Sequence, residues 1–328
     1  MRIGITDYVT PPFDIEQEAL GEAADFVFLN SENEADFDPD VLGTLDALLV
    51  WHAAIGPKTA QALRRCRIVV RYGVGYDAID VAALTAAGIP FCNTPDYGTE
   101  EVADTAAGMI LALQRKILSY DLACRSFVSG WQEHVQPPLP RLSRLTLGVV
   151  GVGRTGTALM QRMRPFGLRL MGYDPHQPSG HEKAVGYHRA RSLGELLAEA
   201  DIVSVHCPLS PETKGIIDAE FLARMKPGSI LINTARGGLI QSLDAIHDAL
   251  ESGHLLGTGL DVLPEEPPTP GLLIDAWLAN DPRFAGRVII NPHTAYFSDH
   301  AWREMRYKAA ETVQMFLGEG TLRNHIVC

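Results

Sequence analysis

Six consecutive residues set the strongest limit on how this chain can fold. Gly151-Val152-Gly153-Arg154-Thr155-Gly156 follows the apolar run Leu147–Val150 and opens the helical stretch Thr157–Pro165. The spacing fits a strand-to-helix turn. Gly151 permits the tight turn, Gly153 lets backbone approach a pyrophosphate, and Gly156 lets helix and strand pack closely. The helix N-terminus would offer unpaired N–H groups and partial positive charge to phosphates. A lone G-x-G-x-x-G is weak evidence, but Asp174 ends the next apolar run, where a dinucleotide-binding βαβ unit carries its acid. A carboxylate there accepts hydrogen bonds from the adenine-ribose hydroxyls and repels a 2′-phosphate, which predicts NAD as the cofactor rather than NADP.

The rest of the chain keeps the same rhythm of short apolar runs and amphipathic segments, which predicts α/β architecture with parallel sheets covered by helices. Candidate strands in the first part are Arg2–Ile5, Asp25–Leu29, Ala47–Val50, Ile68–Tyr72 and Pro90–Asn93, with helical spacing over Thr59–Arg65 and Asp80–Ala87. A single long helix is expected over Thr99–Ser126, with Val102, Ala106, Met109, Ile110 and Leu113 on one face. Pro137, Pro138 and Pro140 make 130–144 a crossover loop. The second series of strands is Thr146–Val150, Leu168–Tyr173, Ile202–His206, Ser229–Asn233, Thr258–Val262 and Val288–Asn291. A final helix, about Asp299–Leu317, and a short tail follow. At 328 residues the chain exceeds what one core usually serves. The expectation is two doubly wound parallel-sheet domains. A Rossmann NAD domain (100–296) is inserted into a flavodoxin-like substrate domain (1–99 and 297–328).

A formal net charge of −12 argues against a nucleic-acid partner, which needs a clustered positive surface. The five cysteines, Cys66, Cys92, Cys124, Cys207 and Cys328, show no pair spacing, which fits reduced thiols in a cytoplasmic protein. No stretch is long and apolar enough to predict a membrane span, and no metal is expected.

Three polar islands punctuate the later strand ends: Asn233-Thr234-Ala235-Arg236-Gly237-Gly238, Asp261-Val262-Leu263-Pro264-Glu265-Glu266-Pro267, and Asn291-Pro292-His293-Thr294-Ala295. In a doubly wound sheet the carboxyl ends of the strands converge on one crevice, so an Arg, a Glu and a His can meet there. Arginine offers a planar fork to a carboxylate and the adjacent carbonyl oxygen. Histidine can give that oxygen a proton as hydride arrives, or take it back. A glutamate, Glu265 or Glu266, on the other ring nitrogen would fix the tautomer. Taken singly, each residue is as easily a surface or turn residue. Their joint placement is what points to chemistry.

These motifs resemble those of the D-isomer-specific 2-hydroxyacid dehydrogenase family along essentially the whole chain. They are GVGRTG at 151–156, YDP at 173–175, HCPLSPETKGII at 206–217, NTARGGLI at 233–240, DVLPEEP at 261–267 and NPHTA at 291–295. The resemblance implies an NAD-dependent enzyme that interconverts a small 2-keto acid and its D-2-hydroxy acid. Arg236 would bind and polarise the keto acid and His293 would be the acid/base. The family's glutamate immediately precedes the proline of its pattern, which selects Glu266. The backbone N–H groups of Val74 and Gly75 would hold the substrate carboxylate. Around the cofactor would stand Gly151, Gly153, Arg154, Thr155, Gly156 and Asp174. His206, Cys207, Pro208 and Thr213 would lie toward the adenine, and Val102, Thr234, Ala235, Asp261 and Ala295 toward the nicotinamide. The segment Thr294–Ser298, with Trp51-His52 and Arg71, is most similar to the C-terminal-binding-protein branch, which would place Arg71, His52, Trp51 and Tyr296 around the substrate. That branch also supplies a rival reading, an NAD(H)-sensing corepressor-like scaffold with little turnover. Family members are typically dimers joined through the nucleotide domain and the long helix, and a homodimer is expected here.

Overall fold

The computed structural model describes residues 1–125 and 130–327. The chain divides into two compact units, one formed by Met1–Gly98 with Phe297–Cys328 and the other by Thr99–Tyr296. Among the described residues no helix is long and apolar enough to cross a membrane.

In the first unit, strands β1 (Arg2–Ile5), β2 (Asp25–Phe28), β3 (Ala47–Val50), β4 (Ile68–Arg71) and β5 (Phe91–Cys92) pair in parallel in the order β2-β1-β3-β4-β5. That is the flavodoxin-like order. One short strand was not anticipated. His325–Ile326, expected as tail, adds to the β5 edge and runs antiparallel, His325 opposite Cys92 and Ile326 opposite Phe91. Two residues carry too little periodicity to be read as a strand. Every residue of β3 is buried, as a strand covered on both faces requires. The helix Asp14–Leu20 and the long C-terminal helix Asp299–Glu319 meet through a buried ion pair. Arg306 grips Glu16 with two N–H groups, at 2.8 and 2.5 Å, and the Tyr72 hydroxyl donates to Glu16 at 3.0 Å.

In the second unit, β6 (Thr146–Val150), β7 (Arg169–Tyr173), β8 (His188–Arg189), β9 (Ile202–Val205), β10 (Ser229–Asn233), β11 (Leu255–Leu260) and β12 (Val288–Ile290) form one parallel sheet. Its order, β8-β7-β6-β9-β10-β11-β12, reverses direction at β6/β9, the Rossmann switch point. Successive side chains serve opposite faces. Ile230 and Ile232 pack in one core cluster with Leu147 and Val149, while Leu231 packs in the other with Val203 and Val205.

Besides β8, which the sequence reading did not include, two expected elements of this unit take a different form. The long helix expected over Thr99–Ser126 is two helices, Thr99–Gln114 and Ile117–Cys124, and Ser126 lies outside the described residues. Lys116 adopts φ 51°, left-handed backbone that ends the first helix, and neither glycine nor proline announces it. The strand expected over Thr258–Val262 begins at Leu255 and ends at Leu260. Asp261 leaves the strand because its side chain folds the turn that carries His293. Cys328 also lies outside the described residues.

Candidate active site

All three polar islands lie at the carboxyl ends of neighbouring strands of the second unit, β10, β11 and β12, and buried polar groups wire them together. Asn233, fully buried, donates through Nδ2 to the Arg236 carbonyl at 3.0 Å, and its Oδ1 accepts from the Ala235 N–H at 3.1 Å. These two bonds shape the loop that presents Arg236. Next along the sheet edge, the Asp261 N–H donates to the Asn233 carbonyl at 3.0 Å. The Asp261 carboxylate accepts the N–H groups of Thr294 and Ala295, each at 3.0 Å, and its carbonyl accepts the His293 N–H at 2.8 Å. His293 sits at φ 55°, strained backbone that these three bonds over-determine.

The Glu266 carboxylate meets His293 Nδ1 at 2.7 Å and accepts the Leu263 N–H at 2.8 Å, whereas Glu265 turns away to accept from the Thr269 hydroxyl. Burial alone would raise the Glu266 carboxyl. The hydrogen bond and charge of His293, the Leu263 N–H and the charge of Arg236 outweigh it, so the group is held below the usual carboxylate range. An ionised carboxylate can only accept, so this contact calls for a proton on Nδ1. Asp261 shifts the other way: burial pushes its carboxyl up, although the Ala295 and Thr294 N–H groups pull against it.

At the switch point, the glycine-rich turn matches the demands of a pyrophosphate. Gly151 stands at φ 88°, and a Cβ there would lie 2.6 Å from the Cys207 nitrogen; a Cβ on Gly156 would lie 2.2 Å from the Gly151 carbonyl oxygen. A Cβ on Gly153 would meet nothing within 4 Å, so the open side of the loop is the side a ligand would approach. The helix Arg154–Met163, which holds Thr155, starts at Gly153 without a capping side chain. Asp174 accepts the Val152 N–H at 2.9 Å and the His176 N–H at 3.0 Å, placing its carboxylate beside the turn. Thr234, buried, has a hydroxyl oxygen without a hydrogen-bond partner among the described residues, an orphan that a bound ribose or phosphate oxygen would satisfy. The donor set, the open loop and this orphan fit a dinucleotide.

The remaining cofactor candidates have local roles as well. His206 contacts the Ser204 hydroxyl at 2.8 Å and is pushed down to about 4 by burial, so it stays neutral. The Cys207 thiol is pushed up to about 11 by burial and serves as apolar lining rather than a nucleophile. The Thr213 hydroxyl donates to the Pro208 carbonyl at 2.6 Å and closes that turn. Val102 lies in the helix Thr99–Gln114, which is tied to the third island by the Thr105 hydroxyl donating to the Ala295 carbonyl at 3.3 Å. Ala235 and Tyr296 are partly buried in the second unit.

In the first unit, Arg71 ends β4, and Val74 and Gly75 follow in the loop after it, with Val74 42% exposed. His52, expected near the substrate, lies in the first unit as well. Its Nε2 accepts the indole N–H of Trp51 at 2.7 Å, and its Nδ1 faces Asp7 at 3.0 Å, so both nitrogens are engaged within the unit. Two residues escaped the sequence reading: Asn233, and Asp261 in its role as folder of the histidine turn. An Asn or Asp closing an apolar strand just before an island was the available signal.

Comparison with known proteins places the chain in a family. Residues 107–295 match the model of the D-isomer specific 2-hydroxyacid dehydrogenase NAD binding domain. C-terminal-binding protein 1 of Caenorhabditis elegans is 31% identical over 305 residues, which are 92% of this chain and 41% of that protein. D-3-phosphoglycerate dehydrogenase of Bacillus subtilis is 35% identical over 294 residues, 89% of this chain and 53% of that one. The chain thus spans about half the length of the curated relatives it matches. Among solved structures, D-lactate dehydrogenase from Aquifex aeolicus, complexed with NAD and lactic acid, superposes over 99% of both chains with a TM-score of 0.85 at 26% identity. With its second unit an NAD-binding domain of that type, this chain belongs to the D-isomer specific 2-hydroxyacid dehydrogenase family.

Proposed function

We propose that the chain is an NAD-dependent oxidoreductase that interconverts a small 2-keto acid and its D-2-hydroxy acid. The observation that carries this reading is the Glu266–His293 pair, at 2.7 Å, with the charge of Arg236 acting on the same carboxylate. Bound NADH supplies the hydride, and the chain's own residues supply binding and the proton. Arg236 takes the substrate's carboxylate and carbonyl oxygen with its fork of N–H groups. His293 gives its Nε2 proton to the carbonyl oxygen in reduction and removes it in oxidation. Glu266 holds the ring through Nδ1 and stabilises the imidazolium. The N–H groups of Val74 and Gly75 hold the carboxylate, with Arg71, Trp51 and Tyr296 about the rest of the substrate. Asp174 takes the adenine ribose, Thr234 and Ala235 the nicotinamide ribose, and the amide of the nicotinamide falls to Asp261.

The test is NADH oxidation by the purified chain with glyoxylate, hydroxypyruvate, pyruvate, 2-ketobutyrate and phenylpyruvate. Turnover on at least one acid, reduced about 10³-fold by Arg236→Ala, is expected. Tight NADH binding with no turnover on any of them would instead support the NAD(H)-sensing scaffold, a reading the likeness to C-terminal-binding protein 1 keeps in play.

The same reading includes a homodimer joined through the second unit and the helices Thr99–Gln114 and Ile117–Cys124. Ile117, 54% exposed, and Leu118, 37% exposed, leave apolar surface on the second of these helices for a partner to cover. Light scattering at micromolar concentration should report twice the chain mass, and a monomer there would rule the dimer out.

A further inference from the structure

Three carbonyl oxygens at the end of β4 and in the loop after it, those of Arg71, Gly73 and Val74, are held by the two residues that follow β5. The Thr94 hydroxyl donates to the Arg71 carbonyl at 3.0 Å, and the Thr94 N–H donates to the Gly73 carbonyl at 3.3 Å. The side-chain amide of Asn93 donates through Nδ2 to the Val74 carbonyl at 2.7 Å. Asn93 and Thr94 are both buried and directly follow β5. The chain's last described strand braces them, because the Asn93 N–H donates to the Asn324 carbonyl at 3.4 Å beside the His325–Ile326 pairing.

Trans peptide geometry turns this bracing into a direction. Each peptide places its N–H opposite its carbonyl. In an extended strand consecutive carbonyls point to opposite sides, so consecutive N–H groups diverge. Here the Gly73–Val74 and Val74–Gly75 peptides both turn their carbonyls toward Asn93-Thr94. The N–H groups of Val74 and Gly75 therefore face away from β5 on one common side. Neither donates to a protein group among the described residues. Two adjacent N–H groups aimed together and left unsatisfied form an anion-binding nest.

We infer that Asn93 is a positioning residue for substrate binding. Its amide, by holding the Val74 carbonyl, aims the Gly75 N–H at the substrate carboxylate, so recognition of the acid depends on a residue that never touches it. The inference rests on the proposed role of Val74 and Gly75 as carboxylate ligands. Asn93→Asp keeps the side chain's shape but replaces the donor with oxygens that repel the Val74 carbonyl, and Asn93→Ala removes the anchor altogether.

The probe is glyoxylate, the smallest 2-keto acid, because no side chain has to fit, set against its methyl ester, which lacks the carboxylate charge. Both variants should lower kcat/KM for glyoxylate about tenfold or more, the effect of one weakened charge-assisted hydrogen bond. The loss should fall in KM, with kcat within about threefold of wild type and NADH affinity unchanged. The rate with the ester should hardly move, so the acid-to-ester preference drops by the same factor. A merely structural role would lower the melting temperature and leave that preference intact. Gly75→Pro, which deletes the N–H itself, separates the two layers of the argument. If it abolishes the preference while either Asn93 variant binds NADH normally and keeps the wild-type preference, the role of Asn93 is overturned. If Gly75→Pro leaves the preference untouched, or wild type turns over neither glyoxylate nor any other acid of the panel, the reading beneath it fails.

Discussion

Replacing His293 by alanine should slow keto-acid reduction about 10²–10⁴-fold in kcat, the range a positioned general acid contributes. NADH affinity should stay near wild type, because the dinucleotide turn at 151–156 is held by its own strand and helix. The expectation follows from how much of the fold is spent on that one ring. Asp261 spends its carbonyl and both carboxylate oxygens on the backbone from His293 to Ala295. Glu266 then fixes Nδ1. The pH dependence has a definite sign. Glu266 is held below the usual carboxylate range, so it stays ionised through neutral pH and its support for the imidazolium is lost only as pH falls through that depressed value. Above that, reduction consumes a proton from the ring and slows as pH rises, while oxidation needs the neutral ring and speeds up. His293→Ala should flatten both profiles. A variant that kept more than about a tenth of wild-type kcat, or kept the wild-type pH profile, would remove His293 from proton transfer.

Much of this architecture was legible because strong local signals and global topology agree. The turn at 151–156 is readable since strand, glycine spacing, helix and Asp174 all demand the same conformation, and a Cβ at Gly156 would strike the Gly151 carbonyl. Arg236, Glu266 and His293 could be placed together because parallel strands deliver their carboxyl ends to one edge. What escaped was decided by long-range partners. Glu265 and Glu266 are equivalent by residue type, so residue chemistry alone leaves both open; the family resemblance selects Glu266, and Glu266 is the one that reaches His293, 27 positions away in the chain. Asn233 looks like the end of a strand until its two side-chain bonds around Arg236 are seen. The break at Lys116 and the strand His325–Ile326 depend on packing partners that neither periodicity nor turn chemistry records.

Gly237→Ala should be nearly as damaging as loss of a catalytic side chain, although glycine carries no chemistry. A Cβ at Gly237 would lie 1.7 Å from the Leu263 carbonyl oxygen and 2.2 Å from its carbon. Both are backbone atoms, so no rotamer change can relieve the overlap and one segment must move. The segments concerned carry Arg236 on one side and, three residues beyond Leu263, Glu266 on the other. Leu263 also donates its N–H to the Glu266 carboxylate at 2.8 Å, so displacing it releases the group that orients His293. Misplacement of a reacting group by about 1 Å costs about 10²-fold, and here the substrate fork and the acid/base pair would shift together. We expect kcat/KM to fall at least about 10²-fold, with about 1–3 kcal/mol lost from stability through overpacking. The glycine turn lies at β6, away from this overlap, so NADH binding should weaken through Thr234, Ala235 and Asp261 without being lost, and that separates a misaligned site from an unfolded domain. If Gly237→Ala bound NADH and kept wild-type kcat/KM, the close approach of the two loops would not be what aligns Arg236 with the Glu266–His293 pair.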